Sequence, residues 1–189
     1  MEGINAWNSL IYKDTYSGDL SKMLDIANAV SKQSGIEHPL EEGGLSTWDS
    51  TVRILELPEF TDLTNWLIEK HSIVWQSWGF KDFPRFMHKS WINWHPPSAS
   101  TLEHDHGAVA LVMSIYLNQP TNGGNIQFKD PLEYQWSASP RQDDDNWITV
   151  PVRTGDVLFF PGFIKHRTEK NNSTEDRFVL TVNMMAKYV

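Results

Sequence analysis

The segment HDHGAVALVMSIYL, residues 104–117, decides the fold of this chain. Its second part, residues 108–117, is apolar on both faces apart from Ser114. A half-exposed strand alternates apolar and polar residues, whereas a strand without this alternation is covered on both sides. The segment therefore predicts a central strand covered by side chains on both sides, or a strand with one face lining a pocket.

Two histidines, His104 and His106, stand one residue apart just before this strand. In an extended backbone, side chains at positions i and i+2 project to the same face, so both imidazoles are expected to converge while Asp105 faces away. A third histidine, His166, follows a strand-like run that passes through a Pro-Gly pair. Strands distant in sequence lie side by side in a rolled β-sandwich. We therefore expect His166 to join the pair.

A single arginine, Arg177, opens the apolar run of residues 178–183. An arginine that enters an interior strand needs an anionic partner, because its guanidinium stays protonated. A carboxylate held by the guanidinium fork would satisfy it; the alternative is a surface ion pair with Glu175 or Asp176. Three imidazoles and a buried guanidinium form a coherent site for a divalent metal, such as iron(II), and a dicarboxylate.

Two helices and several short strands account for the rest of the chain. Apolar residues at helical spacing predict a helix that begins after Ser17 and Asp19 and ends at residues 34–35, and a second helix over residues 61–79. Loose alternation over residues 52–57 predicts a strand between them. Residues 131–147 are predicted to form a solvated loop, with a lid over the site as the alternative. The later candidate strands, which favour a sandwich or barrel, are residues 91–94, 108–117, 125–128, 148–152, 156–160 and 178–185.

The composition fits one globular domain spanning residues 1–189 and excludes several kinds of site. The net charge of −8 argues against direct nucleic-acid binding. The absence of cysteine excludes disulfides, zinc–thiolate sites, iron–sulfur clusters and cysteine nucleophiles. No apolar run reaches the roughly 20 residues of a spanning helix, and the N-terminus lacks the features of a secretion signal. A cytoplasmic location is therefore expected.

Five blocks of sequence resemble the iron(II)/2-oxoglutarate-dependent oxygenases of double-stranded β-helix (jelly-roll, cupin-like) fold. In chain order from residue 90 they are SWINW, HDH before a strand ending in SIYL, GGNIQFKDP, TGDVLFFPGFIKH and RFVLTVN. The similarity is greatest to a bacterial and phage branch that reads His-x-His before a strand with a tyrosine. The segment GGLSTW at residues 43–48 also resembles a Gly-Gly-Trp segment of that branch.

The resemblance implies a mainly β protein with N-terminal helices (α+β). Residues 1–89 would form a mixed α/β part with two supporting helices, and residues 90–189 the double-stranded β-helix core that carries the metal site. The implied activity is that of a non-haem iron(II) dioxygenase, with 2-oxoglutarate as cosubstrate. It would hydroxylate an unidentified small molecule or peptide with dioxygen and release succinate and carbon dioxide. No catalytic residue is implied beyond the metal centre.

The resemblance also assigns residues to the site. His104 and His166 match the two histidine ligands, and His106 stands where most relatives have a carboxylate. Arg177 falls where the family binds the distal carboxylate of 2-oxoglutarate. The other matches are Tyr116 and Asn183 toward the cosubstrate, and Trp91 and Trp94 in the substrate cleft.

The His-x-His pattern departs from the His-x-Asp/Glu of most relatives, and the missing carboxylate makes an iron(II) site more positive until the cosubstrate dianion binds. Asp105 is the alternative third ligand, which would need a bulge or turn. Two other functions stay open: a three-histidine, cupin-like metalloenzyme that does not use 2-oxoglutarate, and a non-catalytic metal-binding jelly-roll domain. The remaining histidines lack partners at ligand spacing and are expected to be surface or packing residues; they are His38, His71, His88 and His95.

Overall fold

Three antiparallel sheets, of six, three and two strands, and two α-helices make up most of the fold, seen in a computed structural model that describes residues 11–132 and 146–187. Most of the predicted loop 131–147 lies outside the described residues, so the lid over the site stays a prediction. The helices and strands are β1 (Tyr12–Thr15), α1 (Ser21–Ser34), β2 (Glu41–Glu42), β3 (Leu45–Ser46), α2 (Thr61–Ser77), β4 (Arg85–His95), β5 (Ser100–Thr101), β6 (Leu111–Asn118), β7 (Ile126–Lys129), β8 (Trp147–Val150), β9 (Asp156–Phe160), β10 (His166–Thr168) and β11 (Arg177–Ala186).

The large sheet has six strands in the order β1-β9-β6-β11-β4-β3, and every pairing in it is antiparallel. A three-stranded sheet, β10-β7-β8, and a two-stranded ribbon, β2-β5, complete the β structure. The non-consecutive neighbours place strands far apart in sequence side by side, as a jelly roll requires. This architecture confirms the predicted mainly β jelly roll with N-terminal helices.

Strand β6 is buried on both faces, as its sequence predicts. Leu111, Met113 and Ile115 belong to the apolar cluster that packs the large sheet against α1 and α2. Val112 and Tyr116, on the opposite face, belong to a second apolar cluster that contains residues of β7. The strand therefore contributes to two cores, which explains why it lacks the alternation of a half-exposed strand.

Both helices lie where their apolar periodicity predicts. The Oδ1 atom of Asp19 accepts the N–H of Ser21 at 2.9 Å where α1 begins, and the N–H of Gly35 bonds the carbonyl of Ser31 where it ends. Met23 in α1 and Leu67 in α2 are buried in the cluster beneath the large sheet. Within residues 11–132 and 146–187, no helix combines the length and apolar character needed to cross a membrane.

The predicted strand at residues 52–57 is wrong. This segment instead forms two short 3₁₀ helices, Ile54–Glu56 and Pro58–Phe60. Proline lacks an N–H and has a fixed φ, which suits the first turn of a helix better than the interior of a strand. Ile54 is fully buried in the core beneath the large sheet, and Val52 and Leu57 pack against it. These three apolar residues form the pattern that mimics strand alternation.

The N-terminal part of the chain contributes to the sheets as well as supporting them. Strand β4 begins at Arg85, before the expected start of the β-helix core at residue 90. Strands β1 and β3 form the two edges of the large sheet. Strand β2 pairs with β5 through Glu41 and Thr101, which brings the segment after α1 to the site described below.

Candidate metal centre

Three histidines meet at one end of the jelly roll. Each of His104, His106 and His166 offers a ring nitrogen, and these atoms lie within 4.8 Å of one another. The backbone produces this convergence: His104 and His166 exchange both backbone hydrogen bonds, at 3.0 and 2.9 Å, and the N–H of His106 bonds the carbonyl of Gly162 at 2.8 Å. The structure thus brings together the pair and the distant histidine that the sequence predicts to meet.

The second nitrogen of each ring, Nδ1, faces an oxygen that can only accept a hydrogen bond. A carbonyl acceptor requires each Nδ1 to carry the proton, which leaves the lone pair on Nε2. The Nε2 atoms of His106 and His166 lie 3.4 Å apart. In metal sites, hydrogen-bond acceptors on the nitrogen that does not bind the metal orient the imidazole ligands. The acceptors are the backbone carbonyls of Leu102 (2.8 Å from His104) and Ile164 (3.0 Å from His166), and the Oδ1 atom of Asn183 (2.8 Å from His106).

All three imidazoles are held in their neutral form. Burial lowers the pKa of His104, His106 and His166, and for His106 the value falls to about 4. Repulsion from a neighbouring imidazolium lowers the pKa of His106 and His166 further. A metal binds the neutral ring, so no proton has to leave near neutral pH. Neutral nitrogen donors converging on one point fit a divalent first-row metal such as iron(II).

Asp105, the alternative ligand, lies outside this cluster. Its side chain is exposed, and its Oδ1 atom accepts the N–H of Gly107 at 2.8 Å in a turn. The carboxylate therefore stabilises the turn that follows the histidine pair.

A cavity of about 220 Å³ extends from the histidines into the jelly roll. This volume is below the roughly 300–1,000 Å³ of pockets for drug-sized ligands, so it suits a small molecule. Three neighbouring strands of the large sheet supply its floor, and alternate residues of each strand face inward. The inward residues are Trp91, Asn93 and His95 of β4, Ser114 and Tyr116 of β6, and Val179 and Thr181 of β11.

The two tryptophans predicted for the cleft lie on opposite faces of β4. Trp91 lines the cavity, stacks on the ring of His106 at 5.8 Å between centroids, and meets Trp48 edge-on at 4.4 Å. Trp94 stacks on Phe178 at 6.2 Å in the cluster beneath the sheet. Residues three apart in a strand cannot share a face, so Trp94 is not part of the cavity wall.

Arg177 is fully buried behind the far end of the cavity, so the alternative of a surface ion pair is wrong. Its Nη2 atom donates to the hydroxyl of Thr168 at 3.0 Å, and its Nε atom donates to Nδ1 of His95 at 3.3 Å. Both partners line the cavity. The Nη1 atom donates to three backbone carbonyls, those of Gly123, Gly124 and Glu169, at 2.6, 3.3 and 3.2 Å.

The turn at residues 122–124 is what makes this arrangement possible. Gly124 has a φ of +80°, and a Cβ atom there would lie 2.6 Å from the carbonyl oxygens of Glu169 and Lys170. Only glycine tolerates both conditions. The turn can therefore approach the segment before β11 closely enough for its carbonyls to reach Arg177.

The hydroxyl of Tyr116 also faces this end of the cavity. Tyr116 is 1% exposed and lines the cavity, and its hydroxyl is close enough to Arg177 to feel the charge of the guanidinium. Burial raises the pKa of Tyr116, so the hydroxyl is a neutral donor. Asn183, the third residue expected near the cosubstrate, lies behind His106 and bonds its ring.

Sequence reasoning missed His95, which it treated as a surface or packing residue. His95 is 1% exposed and lies between Arg177 and the carboxylate of Glu41. Spacing gave no signal, because both partners are distant in sequence. The alternation of side chains in a strand would have given a signal, since His95 follows Trp91 and Asn93 at intervals of two and so shares their face.

Comparison with known proteins agrees with this geometry. A family model described as "Putative 2OG-Fe(II) oxygenase" matches residues 89–183, half of the chain. A search of curated proteins gave no match. Among solved structures, the carbocyclase SnoK, described as non-heme and alpha ketoglutarate dependent, is similar at 18% identity with a TM-score of 0.64, covering 94% of this chain and 80% of its own.

Two further structures share the fold. A prolyl-4-hydroxylase of Pseudomonas putida is 12% identical with a TM-score of 0.64, and 95% of this chain and 94% of that chain are covered. HygX of Streptomyces hygroscopicus, with nickel and 2-oxoglutarate bound, is 11% identical with a TM-score of 0.62, covering 95% and 84%. At such identities the likeness shows the fold, whereas the matched family model shows the family. The chain therefore belongs to the 2OG-Fe(II) oxygenases, enzymes that use iron(II) and 2-oxoglutarate.

Proposed function

We propose that the chain is a hydroxylase-type dioxygenase in which His104, His106 and His166 hold iron(II) through their Nε2 atoms. One observation carries this assignment: all three rings have Nδ1 bonded to an oxygen acceptor, so three lone pairs are directed to one place. An acceptor on the second nitrogen of each ring is the arrangement that metal-ligating histidines have.

Two hydroxyl donors at the far end of the cavity, with the charge of Arg177 beside them, would receive the distal carboxylate of 2-oxoglutarate. The hydroxyl of Thr168 already accepts hydrogens from Arg177 and from the N–H of Thr101, so its own hydrogen is left for a ligand. The hydroxyl of Tyr116 is a second donor. The charge of Arg177 beside them favours an anion. The keto-acid end of the cosubstrate would then point toward the histidines.

His106 is a better candidate than Asp105 for the third ligand. Its Nε2 atom belongs to the cluster, whereas the Asp105 carboxylate bonds the turn at Gly107. A site of three neutral ligands is more positive than one with a carboxylate, and the two negative charges of 2-oxoglutarate would offset this difference. A three-histidine site is therefore suited to an anionic cosubstrate.

The chain's own residues would then position and shield the reactants. When bound, iron(II) and 2-oxoglutarate supply the oxidation, with dioxygen consumed and succinate and carbon dioxide released. Trp91 covers one side of His106, and Val179 and Ile126 are apolar parts of the wall, which would limit water near the metal. The substrate is proposed to be a small molecule or peptide, and the cytoplasmic location stays a prediction.

Turnover of 2-oxoglutarate tests this proposal. The purified protein with iron(II), 2-oxoglutarate and dioxygen should release succinate even without a substrate, and His166→Ala should remove this activity. Titration calorimetry with the cosubstrate under anaerobic conditions should show saturable binding to the iron-loaded protein. Iron binding without 2-oxoglutarate binding would instead support the cupin-like metalloenzyme. Binding of neither would support a domain without catalytic activity.

A further inference from the structure

A buried polar chain connects β2 to the far end of the cavity. The Oε2 atom of Glu41 lies 2.6 Å from Nε2 of His95, and the two side chains are 3% and 1% exposed. The hydroxyl of Thr101 donates to the same carboxylate oxygen at 2.9 Å and lies 2.9 Å from Nε2 of His95. The other ring nitrogen of His95, Nδ1, accepts the Nε–H of Arg177 at 3.3 Å.

These contacts set the tautomer of His95. An arginine is always a donor, so Nδ1 must carry a lone pair, and Nε2 must carry the proton that the Glu41 carboxylate accepts. Burial, and then the charge of Arg177, lower the pKa of His95, which keeps the ring neutral despite the carboxylate. The three histidines of the metal centre have the opposite tautomer, with the proton on Nδ1. His95 therefore directs the lone pair of its Nδ1 atom to the guanidinium of Arg177.

All three nitrogens of the guanidinium have acceptors. Carbonyls hold Nη1, the Thr168 hydroxyl accepts from Nη2, and Nδ1 of His95 accepts from Nε at 3.3 Å on the cavity side. The Glu41 carboxylate also places a negative charge one imidazole away, which offsets a buried positive charge that has no carboxylate in direct contact among the described residues.

The segment that carries Glu41 is packed closely against the same ring. A Cβ atom on Gly44 would lie 2.7 Å from the carbonyl oxygen of Trp94 and 3.3 Å from the Cδ2 atom of His95. Pairing of β2 with β5 fixes Glu41 opposite Thr101. The segment between α1 and β3 therefore forms the outer support of the cosubstrate end of the cavity.

We propose that His95 is a positioning residue for 2-oxoglutarate: with its tautomer set by Glu41, it accepts the Nε–H of Arg177 and holds the guanidinium beside the hydroxyls of Tyr116 and Thr168, where its charge favours the distal carboxylate. This inference rests on the proposed function, because it assumes that the carboxylate binds beside Tyr116 and Thr168. Its new content is that His95, which does not touch the metal, determines the affinity for the cosubstrate through its contact with Arg177.

Two substitutions of His95 separate its two contacts. In His95→Asn the amide oxygen can take the place of Nδ1 and keep the bond to Arg177, while the contact with Glu41 is lost. In His95→Gln the longer amide can replace Nε2 and keep the bond to Glu41, while Arg177 loses its acceptor. Both variants remove the same buried imidazole, and each leaves one buried polar partner with one contact fewer. His71→Asn and His71→Gln are matched controls, since His71 is a buried histidine of α2 outside the site.

The measured quantity is the dissociation constant of 2-oxoglutarate for each iron(II)-loaded protein under anaerobic conditions, together with that of the metal. A hydrogen bond to a charged group corresponds to about 10- to 100-fold in affinity. His95→Gln should therefore bind 2-oxoglutarate about 10-fold more weakly or worse, with metal affinity unchanged. His95→Asn and both His71 variants should stay close to wild type.

Equal affinities in the two His95 variants, or weaker binding in His95→Asn, would overturn the inference while leaving the proposed function intact. A wild-type protein that binds no 2-oxoglutarate would overturn both. Nitrogen-15 spectra of the histidine-labelled wild type give a test that needs no variant. They should show His95 protonated on Nε2, with an Nδ1 resonance that shifts when 2-oxoglutarate is added. The opposite tautomer, or a resonance that 2-oxoglutarate leaves unchanged, would contradict the inference.

Discussion

Replacing Asn183 with leucine should weaken metal binding without unfolding the chain. The Oδ1 atom of Asn183 is 2.8 Å from Nδ1 of His106, and Asn183 is 3% exposed, so no water can replace it easily. Without this acceptor the His106 proton is free to move to Nε2, where it would block the lone pair that the metal needs. Leucine has a similar size, so the strand and its packing are retained.

The expected loss follows from this one contact. Removing the outer partner of a ligating histidine lowers metal affinity by about 10- to 100-fold, which corresponds to about 1.4–2.8 kcal/mol. Asn183→Asp keeps an acceptor and adds a negative charge, so it should bind the metal at least as tightly as wild type. Thr181→Val is the matched control, because Thr181 faces the same cavity two residues earlier on β11.

Competition titrations with a chromophoric chelator measure these affinities, and guanidinium unfolding of the metal-free proteins checks that the fold is retained. The reasoning would be refuted if Asn183→Leu bound the metal as tightly as wild type. It would also be refuted if Thr181→Val lost as much affinity as Asn183→Leu, because the orientation of His106 could not then explain the loss.

Four further results are expected. His104→Ala and His166→Ala should each abolish iron binding, and stoichiometric iron in either purified variant would refute the ligand assignment. Arg177→Leu should weaken 2-oxoglutarate far more than the metal in parallel calorimetric titrations, and equal losses would count against its role. Tyr116→Phe should weaken 2-oxoglutarate by about 10-fold through the loss of one hydroxyl donor to an anion, with an unchanged affinity arguing that the hydroxyl faces no ligand. The metal-free protein should lose stability as the pH falls below 6.5, because histidines of the unfolded chain become protonated while the buried rings stay neutral. The lowered pKa of His106, about 4, alone corresponds to a loss of about 2 kcal/mol in the free energy of unfolding between pH 7 and pH 5. Denaturant unfolding that is independent of pH in this range would contradict the buried neutral state.

Local patterns were enough to predict much of the fold. The helices follow from apolar spacing, and β6 follows from an apolar run that cannot belong to a half-exposed strand. The segment around Ile54 misled the same reasoning, because Val52, Ile54 and Leu57 pack on the core through a 3₁₀ turn and their spacing imitates alternation. The very short strands, such as β2 and β5, carry too few residues to show any period.

Some residues of the site could likewise be predicted from the sequence, and others could not. His104 and His106 are predictable because one short segment carries both, and because a neighbouring strand can deliver His166 beside them. Glu41 and His95 are joined only by the tertiary fold, since their contact spans 54 positions in sequence. Trp94 is the opposite case. It was predicted to line the cleft, but the alternation of side chains along β4 places it on the other face of the strand, where it stacks on Phe178.

A crystal structure of the iron(II) complex with 2-oxoglutarate, grown without oxygen, tests the central claim most directly. We expect a metal bonded to the Nε2 atoms of His104, His106 and His166, with the distal carboxylate of the cosubstrate hydrogen-bonded by Tyr116 and Thr168 in front of Arg177. A metal bound through Asp105 instead of His106, or a carboxylate placed away from Arg177, would contradict it.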